Sequence, residues 1–309
     1  MKFKYSSAFL FISIYTVGCM NLAKREPSSV KRGEDNPPLT DYTSVNCEAK
    51  NTSRSLANAQ NFAPEPRNRD LFKNYAYFQS QNLVSEAQNS NLSEKYFYSA
   101  EVYTARTFQY GKFVARMKPV ASRGTVSAFF LYSTETQEEF DIEILGGSKT
   151  IVPVVHPCKA FKTINMNATY FNEFHNYSIE WRPRLVTWYM DDIKILEVKV
   201  SDYSAAKRIM LSSNVHKKWD GDVDLTKWKE HKISYSSLSY FPYIENEEDF
   251  SAVPEWRDNF ENPLDPTIWV KTQAAGGSPE NYTLYNPKNV VQSVSNGVGQ
   301  LDILLTRMQ

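Results

Sequence analysis

The sequence predicts an all-β protein built as a β-sandwich or jelly roll. Short segments that alternate apolar and polar residues follow one another between turn residues, and the sequence has neither a strong long helical pattern nor an internal repeat. Many short strands separated by turns are typical of two-layer β folds. The 309 residues suffice for one large β domain or two smaller ones.

The strand pattern begins near residue 97. In the first clear strand, Phe113, Ala115 and Met117 alternate with more polar neighbours. A Ser- and charge-rich stretch at 233–255 precedes a final β segment. The predicted strands cover residues 110–117, 126–132, 139–144, 177–181, 185–190 and 193–195, with the final segment containing 290–291 and 301–305.

One predicted strand combines an apolar face with an acidic one. Glu139, Asp141 and Glu143 share one face, while Phe140 and Ile142 share the other, which is expected in the core. Three adjacent carboxylates would destabilise a core, because they repel one another and each is costly to bury unpaired. The acidic face is therefore either the solvated face of an edge strand or a site kept for chemistry.

Glycosyl transfer is the chemistry that uses such acids. Two carboxyl groups flank the glycosidic bond as nucleophile and proton donor, and a third acid can raise the pKa of the donor. A retaining pair needs carboxyl groups about 5–5.5 Å apart. Residues four apart on a flat strand are separated by roughly 13 Å at Cα. Glu139 and Glu143 would therefore have to lean together on the concave side of a bent sheet.

Charge and composition exclude several other functions. Lys+Arg and Asp+Glu both number 35, so the net charge gives no electrostatic reason for a nucleic acid or anionic membrane partner. The four His and eleven Gly form no recognisable zinc site, Ser-His-Asp set or phosphate-binding loop. Aromatic residues make up 14%, which fits either an aromatic-rich core or a surface for stacking sugar rings.

The N-terminus has the pattern of an export signal. Lys2 and Lys4 precede the short apolar run 8–12, and Thr16-Val17-Gly18-Cys19 resembles the lipobox of bacterial lipoproteins. We expect residues 1–19 to be a lipoprotein-type signal peptide and 20–60 a flexible tether. The membrane partner would then be reached only through a lipid on Cys19, in the periplasm or at the cell surface; ordinary cleavage and secretion is the alternative.

The remaining cysteines form an even pair if Cys19 carries lipid. In an oxidising compartment Cys47 and Cys158 could form a disulfide, and two free thiols are the alternative.

The acidic strand also carries a family resemblance. Glu139-Phe140-Asp141-Ile142-Glu143 resembles the Glu-x-Asp-x-Glu catalytic strand of glycoside hydrolase family 16, and within it the bacterial β-1,3-1,4-glucanases (lichenases). Neighbouring strands of that family are matched in the same order by residues 110–119, 124–132, 174–181 and 186–191. The resemblance covers residues 98 to about 240 and implies a jelly-roll β-sandwich of the concanavalin A-like lectin/glucanase type.

The C-terminal part resembles the segment that opens the domain in most such enzymes. The matching residues are Trp256–Phe260, Trp269, Asn289-Val290 and Gly299–Ile303. We therefore expect one catalytic-type domain at 61–309 that is circularly permuted, with 250–309 supplying strands that are N-terminal in unpermuted relatives. A separate small β module at 250–309 is the alternative.

The resemblance implies roles for individual residues. Glu139 would be the nucleophile, Glu143 the general acid and then base, and Asp141 would hold the geometry and tune protonation. The residues that would bind substrate are Glu101, Phe130, Tyr132 and Trp219, whereas Trp188 is expected in the core. No cofactor is required, and a structural calcium ion, for which no ligands can be placed, is implied by the family.

Several positions depart from the lichenase pattern. Gln137 stands where those enzymes carry a Trp, and Pro153 stands where they carry a Gln, with His156 nearby. The strand in which they have Asn-Leu-Trp here contains Met210–Asn214. Losing a stacking Trp removes a large contact area. The acids are therefore better supported than any particular glucan, and His156 is either a new substrate contact or structural.

The leading hypothesis is an exported, lipid-anchored, monomeric enzyme that cleaves a β-glucan or related polysaccharide in an endo fashion with retention. Transglycosylation belongs to the same class, because a sugar can intercept the intermediate. The alternative from another class is a carbohydrate-binding surface lipoprotein without activity. The acid triplet argues against it and the lost aromatic positions argue for it. The sugar and the linkage stay open.

Overall fold

The computed structural model describes residues 44–47, 96–201, 203–223, 225–226, 228–275 and 281–308. These ranges form two β-sheets that pack face to face, so the all-β jelly-roll sandwich predicted from the strand pattern is confirmed. The expected signal peptide at 1–19, and the expected tether at 20–60 apart from residues 44–47, lie outside the described residues.

The strands are, in chain order, β1 Ser44–Cys47, β2 Phe97–Ser99, β3 Glu101–Thr104, β4 Gly111–Lys118, β5 Thr125–Tyr132, β6 Glu139–Leu145, β7 Thr150–His156, β8 Ala160–Phe161, β9 Ile164–Asn165, β10 His175–Arg182, β11 Leu185–Met190, β12 Ile193–Val200, β13 Arg208–Val215, β14 His231–Ile244, β15 Asp249–Phe250, β16 Trp256–Asp258, β17 Trp269–Lys271, β18 Ala274–Ala275, β19 Thr283–Tyr285, β20 Val290–Ser295 and β21 Val298–Arg307. The helices of the described residues are single turns: α1 Lys217–Asp220 and two 3₁₀ turns, Ala168–Phe171 and Pro287–Asn289.

The larger sheet has the order β1-β12-β11-β10-β4-β14-β21-β2-β19-β18, and the smaller sheet has the order β17-β3-β13-β5-β6-β7-β8. Strand β6 therefore lies inside the smaller sheet, between antiparallel β5 and β7. This position rules out the reading of the acidic segment as an edge strand.

The core fills the space between the two sheets. On β6, Phe140, Ile142 and Ile144 are fully buried in it, as the alternation predicts. Trp188 is also fully buried, which confirms its expected core position. The face of the smaller sheet that points away from this core carries Glu139, Asp141 and Glu143, and we call it the acid face.

The Ser- and charge-rich stretch at 233–255 contains most of the longest strand of the described residues, the 14-residue β14. Ile233 and Tyr235 point into the core and so do Leu238 and Tyr240, but a register irregularity between Tyr235 and Ser237 separates the two pairs. The irregularity interrupts the alternation, and serines fill much of the opposite face.

Strands from the C-terminal segment pair with strands of both sheets. β21 pairs with β14 and β2, β16 pairs with β14, and β17 pairs with β3. The backbone N–H of Met308 donates to the carbonyl oxygen of Tyr96 at 2.9 Å. The end of the described chain is thus adjacent to the beginning of its main described range.

The disulfide predicted as one alternative is present and joins Cys47 to Cys158. It ties β1, which runs parallel to β12, to the turn between β7 and β8. None of the helices in the described residues has the length and apolarity needed to span a membrane.

Candidate active site

The register of three neighbouring strands defines the centre of the acid face. Each acid of β6 is flanked by one residue of β5 and one of β7. The neighbours across the three strands are Tyr132–Glu139–His156, Phe130–Asp141–Val154 and Ala128–Glu143–Val152. The structure therefore brings the three predicted acids together along one face of β6, and we call Glu139, Asp141 and Glu143 the acid row.

The acid row is buried although it points away from the core. Glu139, Asp141 and Glu143 are only 6%, 3% and 6% exposed. The Oδ1 atom of Asp141 and the Oε2 atom of Glu143 are buried without a hydrogen-bond partner among the described residues. A buried oxygen without a partner has lost its hydrogen bonds to water and has formed none within the protein, so this arrangement lowers the stability of the fold.

Burial and mutual repulsion raise the pKa of every acid in the row. The pKa of Glu139 rises to about 8, mainly because of burial, while a hydrogen bond with Asp141 opposes the rise and Glu101 adds to it. Burial, followed by the charges of Glu139 and Glu143, places the pKa of Asp141 well above its usual range. Burial and the charge of Glu139 do the same for Glu143. The raised pKa values favour the protonated form in the row, as a proton donor requires.

Glu101 lies on the same face as the acid row, on β3, which is separated from β6 by the two strands β13 and β5. It pairs with Ser212 of β13, which pairs with Ala128, the neighbour of Glu143. The hydroxyl of Thr272 donates to Glu101 Oε1 at 2.8 Å. Glu101 is thus a buried, oriented carboxylate level with Glu143 across the sheet, at a position where it could accept hydrogen bonds from sugar hydroxyls.

Phe130 and Tyr132 are the β5 neighbours of Asp141 and Glu139. They pack with Tyr103 and Met210, and together these side chains form an apolar platform beside the acid row. Burial and the charge of Glu139 raise the pKa of Tyr132 to about 12, so its hydroxyl remains a donor at neutral pH. The position of both predicted aromatics suits stacking against a sugar ring.

Trp219 lies on helix α1, near the Glu143 end of the acid row. Its side chain packs against an apolar cluster of the acid face, formed by Val126, Leu145, Val152 and Val154. The next residue, Asp220, accepts hydrogen bonds from the backbone N–H groups of Gly124, Gly147 and Ser148 at 2.6–2.8 Å. This carboxylate ties the helix to the β6–β7 turn and fixes the position of Trp219.

His156 contacts the acid row directly, a point that the sequence left open. Its Nε2 atom lies 3.5 Å from Asp141 Oδ2. Burial, with a smaller effect of Lys159, lowers the pKa of His156 to about 4, so the imidazole is neutral at pH 7.

Sequence reasoning missed a buried ion pair next to the acid row. Lys207 Nζ is fully buried and donates to Glu138 Oε2 at 2.6 Å and to the carbonyl oxygen of Ala205 at 2.8 Å. The ammonium group also lies over the rings of Trp181 and Phe140, at 4.1 and 4.7 Å. The two residues are 69 positions apart in the chain, and no local pattern could have paired them.

The calcium ion implied by the family remains a prediction. Among the described residues, the one group of three acidic, His or Cys side chains that could hold a metal is Glu139, Asp141 and His156. Calcium takes six to eight oxygen ligands, which this set, with its imidazole, does not offer. We therefore assign no residue to calcium and derive no step from it.

An inner strand with buried acids, flanked by aromatic side chains on the outward face of a β-sandwich, defines a protein of the glycosidase type. The family model for glycosyl hydrolases family 16 matches residues 72–237, which is more than half of the chain. The protein therefore belongs to glycosyl hydrolase family 16, as the motif resemblance predicted.

Two similar proteins are named beta-glucanase. The protein from Fibrobacter succinogenes is 31% identical over 208 residues, which cover 61% of this chain and 59% of the relative. The protein from Paenibacillus polymyxa is 32% identical over 176 residues, which cover 53% of this chain and 69% of the relative. The solved structure of a Bacillus licheniformis beta-glucanase aligns with a TM-score of 0.37 at 25% identity, over 40% of this chain and 64% of that one. The chain thus spans less than two thirds of the length of the Fibrobacter relative.

Proposed function

We propose that the protein is an exported, endo-acting β-glycosidase that hydrolyses a β-glucan-type polysaccharide with retention of configuration. The observation that carries the proposal is the acid row, whose three acids are buried side by side on an inner strand with raised pKa values, which suits a protonated donor beside a nucleophile that ionises. A fold gains no stability from such an arrangement, whereas glycosyl transfer requires it. The beta-glucanase relatives support the substrate class.

In the first half of the reaction, the Glu139 carboxylate attacks the anomeric carbon and forms an ester bond to it. The bond between that carbon and the leaving sugar oxygen breaks, and Glu143 donates its proton to this oxygen. The hydrogen bond from Asp141 stabilises the ionised form of Glu139, which favours its role as the nucleophile.

In the second half, Glu143 acts as a base. It takes a proton from a water molecule, whose oxygen attacks the anomeric carbon and displaces Glu139. Two inversions restore the original configuration. When a sugar hydroxyl replaces the water molecule, the product is a transglycosylated chain.

The side chains around the acid row supply the binding surface. Phe130 and Tyr132 offer an aromatic platform beside Asp141 and Glu139, and Trp219 offers a ring near the Glu143 end. Glu101, which lies level with Glu143 across the sheet, accepts hydrogen bonds from the polysaccharide.

The test is the release of reducing ends by the purified protein across a panel of β-glucans and galactans. We expect one polysaccharide to be cleaved and Glu139→Gln to abolish cleavage. The matched control is Glu135→Gln, which makes the same chemical change at an exposed position before β6 and should leave the rate unchanged. Chain lengths of the products separate hydrolysis from transglycosylation.

A different result would support the non-catalytic alternative. If no polysaccharide is cleaved by the wild-type protein, but calorimetry detects binding that Glu139→Gln preserves, the protein is a carbohydrate-binding protein and the proposed reaction is wrong.

We further propose that the chain order is circularly permuted within one domain. The pairing of β21 with β14 and β2 and the contact of Met308 with Tyr96 support this. A rearranged chain with residues 250–308 placed before 96–249 through a short linker should fold and melt cooperatively. If a chain truncated after residue 249 melts at the wild-type temperature, the C-terminal segment is a separate module instead.

We also propose that Cys19 carries the lipid anchor. The lipobox-like segment supports the anchor, and the Cys47–Cys158 disulfide is consistent with an oxidising compartment. Cys19→Ser should move the protein from the membrane fraction to the soluble fraction and abolish labelling with a fatty acid. Unchanged membrane association of the variant would contradict the anchor.

A further inference from the structure

His156 adds an imidazole to the two acids at one end of the acid row. It is the β7 neighbour of Glu139, and its Nε2 atom lies 3.5 Å from Asp141 Oδ2. One ligand atom from each of the three side chains lies within 4.8 Å of the others. Glu143, the third acid, does not belong to this group.

The three side chains match the preference of a particular class of cations. Zinc and similar divalent transition metals bind imidazole nitrogen and carboxylate oxygen at about 2.0–2.2 Å, often with three protein ligands and one open position. Ligand atoms around such an ion lie about 3.4 Å apart. The contact between His156 and Asp141 already has this length, and Glu139, which lies within 4.8 Å, needs to approach by at most about 1.4 Å.

A second observation points to a missing ligand. Asp141 is 3% exposed, and its Oδ1 atom is buried without a hydrogen-bond partner among the described residues. A buried carboxylate oxygen of this kind costs free energy until a donor or a cation satisfies it. A metal ion that binds both carboxylate oxygens of Asp141, Oδ2 beside His156 and the unpartnered Oδ1, would do so and would offset the repulsion between the two acids.

We propose that Glu139, Asp141 and His156 form a binding site for one divalent transition-metal cation of the zinc type, and that the bound ion inhibits the enzyme by occupying the nucleophile. Metal binding depends only on the three side chains, whereas the inhibition rests on the proposed function. Glu143 remains outside the coordination sphere, so the ion competes with substrate at Glu139 and leaves the proton donor in place.

Calorimetric titration of the purified, chelator-treated full chain with zinc chloride tests the site without any polysaccharide. We expect one equivalent to bind, and His156→Gln to weaken binding at least about 10-fold because it removes one of three ligands. The matched control is His175→Gln. His175 pairs with Asp191 at 2.6 Å and lies outside the proposed site, so this variant should bind zinc as tightly as the wild type.

Further measurements distinguish the loss of a metal ligand from misfolding of the variant. Circular dichroism and melting temperature check the fold of His156→Gln, and Glu139→Gln provides a second test because it replaces a charged ligand with a neutral amide and should weaken zinc binding as well. If His156→Gln and Glu139→Gln both bind zinc as tightly as the wild type, the site is elsewhere and the proposal is wrong.

Inhibition is measured separately. Zinc should reduce the release of reducing ends by the wild type and by His175→Gln, and a chelator should restore it. Rates that do not change at zinc concentrations that saturate the calorimetric site would overturn the inhibitory role. If the metal-free protein cleaves no polysaccharide, the proposed function fails, while the calorimetric result still decides the metal site.

Discussion

Two sets of buried ionisable groups lie side by side at the start of β6, and only one of them contains a group of opposite charge. Glu138 pairs with the buried ammonium of Lys207, while its neighbour Glu139 lies among other acids on the acid face. In the Lys207–Glu138 pair, unlike charges are hydrogen-bonded to each other. In the acid row, like charges repel, and two carboxylate oxygens have no partner among the described residues.

The difference separates what a fold needs from what a reaction needs. Burial lowers the pKa of Lys207 to about 8 even though Glu138 opposes the shift, so pairing offsets only part of the cost of burying the lysine. In the acid row no cation among the described residues pairs with the acids, and their raised pKa values favour the protonated form instead. Retained protons are of no use to a core but are required by a general acid.

Breaking the Lys207–Glu138 pair should have the largest effect on stability. Lys207→Met leaves Glu138 buried without a cation, and we expect the free energy of unfolding to fall by about 3–5 kcal/mol in urea denaturation. The double variant Lys207→Met/Glu138→Met should recover most of the loss, because two well-packed apolar side chains replace a buried pair at little cost. A double variant as unstable as the single one would show that the ammonium packing, and not the pair, is what matters.

Asp220 provides an intermediate case, a buried acid that has no ion pair within the described residues but has three backbone donors. Asp220→Asn replaces one accepting oxygen with an NH₂ group that faces those donors. We expect a loss of about 1–3 kcal/mol in the free energy of unfolding, together with a rise in KM because Trp219 loses its support. An unchanged melting temperature would contradict the role of these hydrogen bonds.

Removing the ionisable group of Glu139 should stabilise the fold while it abolishes turnover. Below pH 4.5 Glu139 is protonated in both the folded and the unfolded state. As the pH rises from there to about 8, only the unfolded state releases the proton, so wild-type stability falls. Glu139→Gln removes this loss, and we expect its advantage in the free energy of unfolding to grow with pH over this range, by up to about 1.4 kcal/mol per pH unit. The measurement is urea denaturation at pH 5, 6.5 and 8, and an advantage that shrinks with pH would contradict the raised pKa.

An exposed ion pair should have the smallest effect on the free energy of unfolding. Arg106 and Glu255 lie 2.7 Å apart, but both side chains are about half exposed. Because water and salt screen such a pair, Glu255→Gln should change the free energy of unfolding by less than about 0.5 kcal/mol. A loss comparable to that of Lys207→Met would mean that burial is not what distinguishes the two pairs.

The sequence predicted those parts of the molecule that depend on local periodicity. Alternation in residues 139–144 placed the acids on one face and Phe140 on the other, and both placements are confirmed. The predicted strand 185–190 matches β11 at both ends. Strand β14 was missed because its irregularity after Tyr235 shifts the apolar positions out of phase.

Contacts between distant segments lay beyond a single sequence. Lys207 meets Glu138 across the smaller sheet, and the contact of His156 with Asp141 depends on the register of β6 and β7. Periodicity gives the face on which a side chain lies but not the partner that stands opposite. The motif resemblance supplied the candidate acids, while their burial and their raised pKa values required the fold.

The central claim, that the acid row is kept for double-displacement chemistry, is tested most directly by trapping the glycosyl–enzyme intermediate. The protein would be incubated with a 2-deoxy-2-fluoro glycosyl fluoride of the oligosaccharide it cleaves, digested, and analysed by peptide mass spectrometry. We expect one sugar to be attached at Glu139, with labelling abolished in Glu139→Gln and retained in Glu135→Gln. A label on Glu143, or turnover of the natural polysaccharide by Glu139→Gln, would contradict the account.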